Sequence, residues 1–367
     1  MDSSLISADV RDLLALHLVP GLGPRLTAAL LERFGSAGAV RQSSAAQLRE
    51  VPYIGETLAS KLESSLRTID VDAELAKMAH HGVHLIALGT PAYPAALASI
   101  SSAPHLLYCR GTLKPQDARA IAIVGSRNCT VSGKRTAERL AADLANAGYA
   151  IISGLARGID GAAHRGALQA GGRTVAVLAG GLSRIYPPDH KELATQVESA
   201  GALLSEAPMD LEPLPNSFPA RNRIISGLSQ AVVLVEAAQK SGALITAEHA
   251  AQQGRPVFAV PGPIDSPASA GTNALIRDGV ILCRGAQDVI EELSGLAFVS
   301  AATPSAPVPP ALDPLQQQIW DALPEPRHLD EIVRALGISV PRLTGVLLTL
   351  EMKRILRRLP GNRYERW

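Results

Sequence analysis

The chain has little cysteine: three residues in 367, at positions 109, 129 and 283, odd in number and far apart. That excludes a disulfide framework and a closely spaced zinc site, and it suits a reducing compartment. Aromatic residues make up only 3% of the chain, so a ring set among charged residues needs a reason. The formal net charge is +1; bulk charge argues neither for nor against a polyanionic partner, and local clustering has to decide. Also missing is an apolar run of about 18 residues able to span a bilayer. The opening MDSSLISADVRD lacks the basic start and apolar core of a signal peptide. The expectation is a cytoplasmic chain that does not associate with a membrane.

What is present divides by composition into residues 1–75, 76–297, 298–312 and 313–367. A chain of this length has room for two or three domains, each with a core of its own. In the first zone VPGLG (19–23) and the amphipathic stretch after it are echoed by VPYIG (51–55) and another such stretch. This internal repeat resembles helix-hairpin-helix and SAM-like DNA-binding modules. Glycines in such a hairpin let backbone N–H groups and a helix N-terminus face a phosphate. Two readings stand, a phosphate-binding hairpin and a plain helix pair, and VPYIG lacks the first glycine.

The second zone alternates short apolar runs, VHLIAL, IAIVG, AIISG, TVAVLAG, ALLSE, AVVLVEA, PVFAVPG and VILC, with stretches of helical periodicity such as SGKRTAERLAADLANAG. Continuous apolar strands separated by helices predict an α/β fold with a parallel sheet covered on both faces. Ligands of such sheets sit at the carboxyl ends of strands. Residues 298–314 are rich in Pro, Ala and Ser and read as a linker. Three helical stretches and a basic two-strand hairpin turned at Pro360-Gly361-Asn362 then predict a winged helix.

Four strand ends carry turns suited to anions. Gly125, Ser126 and Arg127 follow the first clear core strand: glycine permits close backbone approach, the next helix offers free N–H groups, and Arg127 adds a fork for phosphate oxygens. Gly154, Arg157 and Gly158 repeat the design, as do Ser241 with Gly242, and Gly271 with Thr272 and Asn273. Neither a G-x-G-x-x-G fingerprint nor a Walker A loop is formed, since Arg135 stands where SGKRT would need Ser or Thr. Asp160 and His164 share a helix face. They read either as a general base or metal pair, or as an N-terminal Asp on the helix dipole beside a hydrogen-bonded structural histidine. Glu236 reads as a ligand acceptor or as a cap on backbone amides.

Phe218 follows the proline-rich MDLEPLPNS and is expected in a loop, flanked by Arg221, Asn222 and Arg223. A loop aromatic beside arginines combines a stacking surface with phosphate contacts, as single-strand binders do. The competing reading anchors the ring in the core and places one arginine in an internal salt bridge. The hairpin carries Lys353, Arg354, Arg357, Arg358, Arg363 and Arg366, with Tyr364 and Trp367 interleaved. Arg342 and Thr344 are the plausible base readers of a duplex-binding winged helix, and protein–protein use is equally open.

Taken in order, IVGSR, SGLARGIDGAAHRGAL, VLAGGLSRIYP, FPARNRIISGLS, EAAQKSGALITAEHA and PG…GTNALIRDG resemble the DNA-processing protein A family (DprA, also called Smf) across some two hundred residues. The resemblance implies an extended Rossmann-like core flanked by an N-terminal SAM-like domain and a C-terminal winged helix. It further implies a homodimer without catalytic activity or cofactor, which binds single-stranded DNA and helps load RecA during natural transformation. Its motifs place DNA contacts on Arg127, Phe218, Arg221 and Arg223. With the strand-end turns, the expected DNA-binding set is Gly125, Ser126, Arg127, Gly154, Arg157, Phe218, Arg221, Asn222, Arg223, Ser241, Gly242, Gly271 and Thr272, with no metal. The core also resembles cytokinin-activating phosphoribohydrolases, but their PGGxGTxxE pattern is interrupted in PGPIDSPASAGTNALI and lacks its glutamate. The alternative is a nucleotide-binding or nucleotide-hydrolysing Rossmann enzyme.

Overall fold

The computed structural model describes residues 7–300, 312–323, 325–352, 355–359 and 362–366. The expected linker therefore lies mostly outside the described residues, as do Lys353, Arg354, Trp367 and most of the Pro360-Gly361-Asn362 turn. The chain forms two compact units, one ending at Ser294 and the other beginning at Gly295.

The first unit opens with helices α1 (Ala8–His17), α2 (Pro24–Phe34), α3 (Ala37–Gln42), α4 (Ala45–Leu48), α5 (Glu56–Thr68) and α6 (Val71–His80). The repeat is real in three dimensions. Leu22 N–H donates to Val19 O and Ile54 N–H to Val51 O, both at 3.2 Å, and Gly23 and Gly55 are the N-caps of α2 and α5. Gly21 has φ +85°, and its counterpart Tyr53 is forced to φ +70°, where a side chain is strained. Helix α1 faces two ways. Leu16 enters the helical core with Leu30, Leu48 and Leu62, whereas Leu14 and Ala15 pack with Leu106, Tyr108 and Leu203 of the sheet.

The sheet strands are β1 (Val83–Ala87), β2 (Leu106–Gly111), β3 (Ala120–Val124), β4 (Ala150–Ser153), β5 (Thr174–Leu178), β6 (Ala202–Ser205), β7 (Ala231–Leu234), β8 (Val257–Ala259) and β9 (Ile281–Leu282). Their order is β1-β2-β6-β5-β4-β3-β7-β8-β9. From β6 to β9 all pairings are parallel. The parallel reading fails at one edge, where β2 runs antiparallel to β6 and β1 antiparallel to β2. Strand β2, LLYCRG, is missing from the predicted strands because its apolar run is short and ends at Arg110.

Covering helices are α7 (Ala95–Ala98), α8 (Val131–Asn146), α9 (Ile159–Gln169), α10 (Lys191–Ala200), α11 (Ser217–Gly227), α12 (Gly242–Gln252), α13 (Ala270–Arg277) and α14 (Ala286–Ser300). They bury Ile121, Ile123 and Val233 on one face and Ala122, Val124 and Val232 on the other, so the central strands β3 and β7 are apolar throughout. From β3 the chain winds outward to β6 and then returns to β7 on the other side. The order reverses at β3, and a crevice at such a switch point is where ligands of open α/β sheets bind.

The second unit comprises α15 (Pro314–Asp321), β10 (Arg327–His328), α16 (Leu329–Leu336), α17 (Val340–Met352), β11 (Leu356–Leu359) and β12 (Arg363–Arg366), with sheet order β10-β12-β11. Ile319, Ile332, Leu343, Leu347 and Tyr364 form its core. Its basic hairpin is largely committed within the unit. Arg357 pairs with Glu365, Arg363 donates to Pro326 O at 2.9 Å, and Arg366 donates to Trp320 O at 2.8 Å while stacking over that indole. Among the described residues no single helix is long and apolar enough to cross a membrane.

Candidate nucleic-acid interface

Three strand ends and one helix start converge at the switch point. After β3, the turn Gly125–Asn128 is held by Ser126 N–H, which donates to Glu236 O at 2.7 Å. The Glu236 carboxylate does not face a ligand. It accepts from Thr130 N–H at 2.8 Å and from the Thr130 hydroxyl at 2.6 Å. That hydroxyl in turn accepts from Gly133 N–H at 2.9 Å, so Glu236 fixes the start of α8. After β4, Leu155 takes φ +56° and Gly158 φ +78°. A Cβ on Gly158 would lie 2.2 Å from Ser126 O, so the second turn closes directly onto the first. After β7, Ser241 caps α12 by accepting from Ala243 N–H at 3.3 Å.

Phe218 corrects a sequence expectation. It lies in the first turn of α11 and not in a loop. Pro219 is tolerated there because first-turn N–H groups have no intrahelical acceptor to lose. The half-buried ring is stacked: the Arg127 guanidinium carbon lies 4.3 Å from its centroid, and the Tyr186 ring is centred 6.1 Å away at 57°.

One turn further along α11, Arg221 is only 6% exposed, and its Nε and Nη1 have no hydrogen-bond partner. It rests where β4 ends. A Cβ added to Gly154 would stand 1.4 Å from Nη1, so only glycine leaves room for the guanidinium. Burial pushes the Arg221 pKa down to about 10, with Asp160 opposing and Arg127 adding to the shift, so the group remains a cation at neutral pH. Asp160, at the start of α9, has its own pKa raised by burial, against the pull of Arg221 and of the backbone at Ala156 and Gly154.

Two cavities meet at the Arg127–Phe218 stack. The smaller, of about 170 Å³, is bounded by Gly154, Arg157, Gly180, Arg184, Tyr186 and Pro187. The larger, of about 520 Å³, is bounded by Gly125, Ser126, Asp160, Asn222, Ser241 and Gly242. Arg127, Phe218 and Arg221 line both. Arg157 forms a two-pronged ion pair with Asp189, at 2.9 and 2.6 Å, and Asn222 donates to Gly242 O at 3.2 Å.

Three residues of the expected set lie apart. Arg223 is buried in an ion pair with Glu206 at 2.5 Å, and it lines neither cavity. Gly271 and Thr272 are buried in α13: Gly271 N–H donates to Ala237 O at 2.8 Å, and the Thr272 hydroxyl donates to Ser269 O at 3.1 Å. Three strand ends, not four, build the rim. Sequence reasoning missed Arg184 and Tyr186 as site residues; the signal was an arginine and a tyrosine beside Pro187 and Pro188 in an aromatic-poor chain.

His164 takes the structural reading. The Thr174 hydroxyl donates to Ile151 O at 2.8 Å and lies 2.7 Å from His164 Nδ1, so it accepts the Nδ1 proton and fixes the tautomer. Among the described residues no three His, Cys, Asp or Glu side chains gather as a metal site. Burial pushes the His164 pKa down to about 3. The unfolded chain takes up this proton near its ordinary value of about 6.5. Stability present above that pH is therefore lost as pH falls toward 3, by at most ~1.4 kcal/mol per pH unit. Urea unfolding of His164→Gln should show a shallower loss between neutral pH and the mid-acid range than the unmodified chain; an equal slope would contradict the assignment.

Residues 84–294 match the family described as DNA recombination-mediator protein A. The chain belongs to this family. Residues 303–362 match the DprA winged helix domain, and residues 5–68 a SAM-like helix-hairpin-helix tandem. Protein Smf of Escherichia coli (strain K12) is 40% identical over 303 residues, 79% of either chain. DNA processing protein DprA of Bacillus subtilis is 42% identical over 220 residues, 60% of this chain and 74% of that one. The structure of DprA from Streptococcus pneumoniae superposes with a TM-score of 0.68 at 35% identity, covering 77% of this chain and 97% of that one. DprA from Helicobacter pylori, whose structure concerns its single-stranded DNA binding mode, gives 0.53 at 31% identity, covering 59% of this chain and 97% of that one. The DprA family thus has here its parallel-sheet core, N-terminal helical tandem and C-terminal winged helix.

Proposed function

We propose that the chain binds single-stranded DNA without strong sequence preference across the two cavities at the switch point. The observation that carries this reading is Arg221, a buried cation with unpartnered donors, beside an aromatic ring that a second guanidinium covers. A buried donor without an acceptor is costly, and a phosphate oxygen would supply the acceptor. Phe218 offers a stacking face that is indifferent to base identity. In this reading the chain works in the cytoplasm as a homodimer, protects incoming strands and helps load RecA during natural transformation; family membership supports that role. It performs no catalysis, and the DNA-binding set includes Gly125, Ser126, Arg127, Gly154, Arg157, Asn222, Ser241 and Gly242. The expected set also names Arg223, Gly271 and Thr272, which lie outside both cavities.

Fluorescence anisotropy with labelled oligo-dT, the matching duplex and ATP, each at two salt concentrations, tests the reading. Tight, salt-sensitive binding of the single strand, with duplex and ATP much weaker, is the expected result. Preference for the free nucleotide, with no affinity for the strand, would overturn it in favour of a mononucleotide pocket in the smaller cavity. Arg127→Ala should also reduce the slope of log affinity against log salt by ~0.7, the contribution of one phosphate contact on a single strand. An unchanged slope would remove Arg127 from the phosphate path.

A further inference from the structure

Four arginines line the smaller cavity: Arg127, Arg157, Arg184 and Arg221. Arg127 lies over Phe218, and Arg221 is buried with unpartnered donors. The other two are exposed at its mouth, and each is held by a carboxylate that is not part of the lining. Asp189 takes Arg157 in the two-pronged pair, and Glu212 accepts from Arg184 Nη1 at 2.5 Å.

Neither carboxylate is needed to hold its own segment. The turn that carries Asp189 is fixed by His190, whose N–H donates to Pro187 O at 3.0 Å and whose Nδ1 lies 2.9 Å from Leu155 O. The loop that carries Glu212 is fixed by Gly181 N–H, which donates to Leu211 O at 2.8 Å, and by the Ser183 hydroxyl, 2.6 Å from Met209 O. Among the described residues the Glu212 carboxylate has no partner besides Arg184.

The two pairs are also able to open. Their side chains are 56% and 52% exposed in one and 62% and 71% exposed in the other. Water and salt screen such a pair, and ordering two flexible side chains offsets most of the attraction that is left. The largely buried pair of Arg173 with Asp117 is of another kind, since the same guanidinium also donates to Ala200 O at 3.0 Å and to Thr112 O at 2.7 Å. Separating that pair would strand a charge away from water. A phosphodiester carries the same charge as a carboxylate and accepts the same guanidinium fork. At the cavity mouth one acceptor can therefore replace the other while the released carboxylate turns to water.

We infer that Asp189 and Glu212 are stand-in anions that limit strand affinity: each occupies a mouth arginine in the free protein and yields it to a phosphate of the bound strand, which makes Arg184 a further strand contact. The inference rests on the single-strand reading above. It adds one cation to that site and assigns two carboxylates the role of setting how tightly the strand is held.

Asp189→Asn and Glu212→Gln test it, because each keeps the shape of the side chain and removes its charge. Oligo-dT affinity, measured by anisotropy, should rise in either variant by up to about fivefold, the most that an exposed pair withholds. Arg184→Ala should weaken binding and make the salt slope shallower by ~0.7. The deciding comparison uses two double variants, Arg184→Ala with Glu212→Gln and Arg157→Ala with Asp189→Asn. Each should bind no more tightly than its arginine variant alone, because the carboxylate then has nothing to withhold. A gain that persists in full without the arginine would show that the carboxylate merely repels the strand, and it would overturn the inference. Unchanged affinity in both carboxylate variants would overturn it as well, and either result leaves the single-strand reading standing. Absence of strand binding by the unmodified chain would overturn both readings.

Discussion

Replacing Gly154 with alanine should weaken single-strand binding as severely as replacing Arg221 itself. The new methyl would stand 1.4 Å from Arg221 Nη1, an impossible separation, so the guanidinium would have to leave its place at the end of β4. A hydrogen bond to a charged group contributes roughly 1.5–3 kcal/mol. At tenfold per 1.4 kcal/mol, the expected loss is on the order of 10- to 100-fold for either variant. The sharper expectation concerns the double variant. Gly154→Ala and Arg221→Ala remove the same interaction, so together they should cost no more than the worse of the two alone. Coupling of this size is expected of residues in contact and absent between independent sites. Anisotropy titrations of all four proteins would measure it, and additive losses would show that Gly154 acts through something other than Arg221.

Phe218→Ala should lower affinity by roughly 1–3 kcal/mol, the worth of one stacked base, while leaving the salt slope as it was. No phosphate contact is removed, and the counterion term depends on phosphates alone. Phe218→Trp should retain most of the affinity, and Phe218→Leu should not, since a leucine fills similar space without a π-face. Retention by leucine would mean that the ring is only packing. Arg127→Ala forms the contrasting case, because its loss should appear chiefly in the salt dependence.

How far this could be read from sequence depends on what each segment needed from its neighbours. The parallel strands were visible because they are buried on both faces, which makes nearly every position apolar, Ser153, Thr174 and Ser205 apart. Strand β2 was hidden for a related reason: Arg110 at its end finds its own counter-charge in Glu198 at 2.9 Å, a partner remote in sequence. The turns at Gly125, Gly154 and Ser241 announced themselves through glycine and hydroxyl residues at strand ends. Gly271 carries the same signal for another purpose, since its missing side chain admits Ala237 O and Ala238 O within 2.8 Å of where a Cβ would stand. Close approach to a neighbouring loop and close approach to a ligand look alike in one dimension. Arg221 and Arg223 illustrate the same limit. Both lie in FPARNR, but the helix turns one toward Gly154 and the cavities and the other toward Glu206. The prolines before Phe218 suggested a loop, yet the helix starts at Ser217 and carries Pro219 in its first turn.

The stack of Arg127 on Phe218 bears on how a bound strand is given up. In the free protein the ring already has a partner, and an exposed cation–π contact is worth ~0.5–1 kcal/mol. A base that takes the same face gains only the difference between its own stacking and that contact. On the proposed reading, when the base lifts away the guanidinium can return to the ring, so the nucleotide leaving Phe218 is replaced by a group tethered beside it. A competitor for the strand then works against less than the full stacking energy at this position.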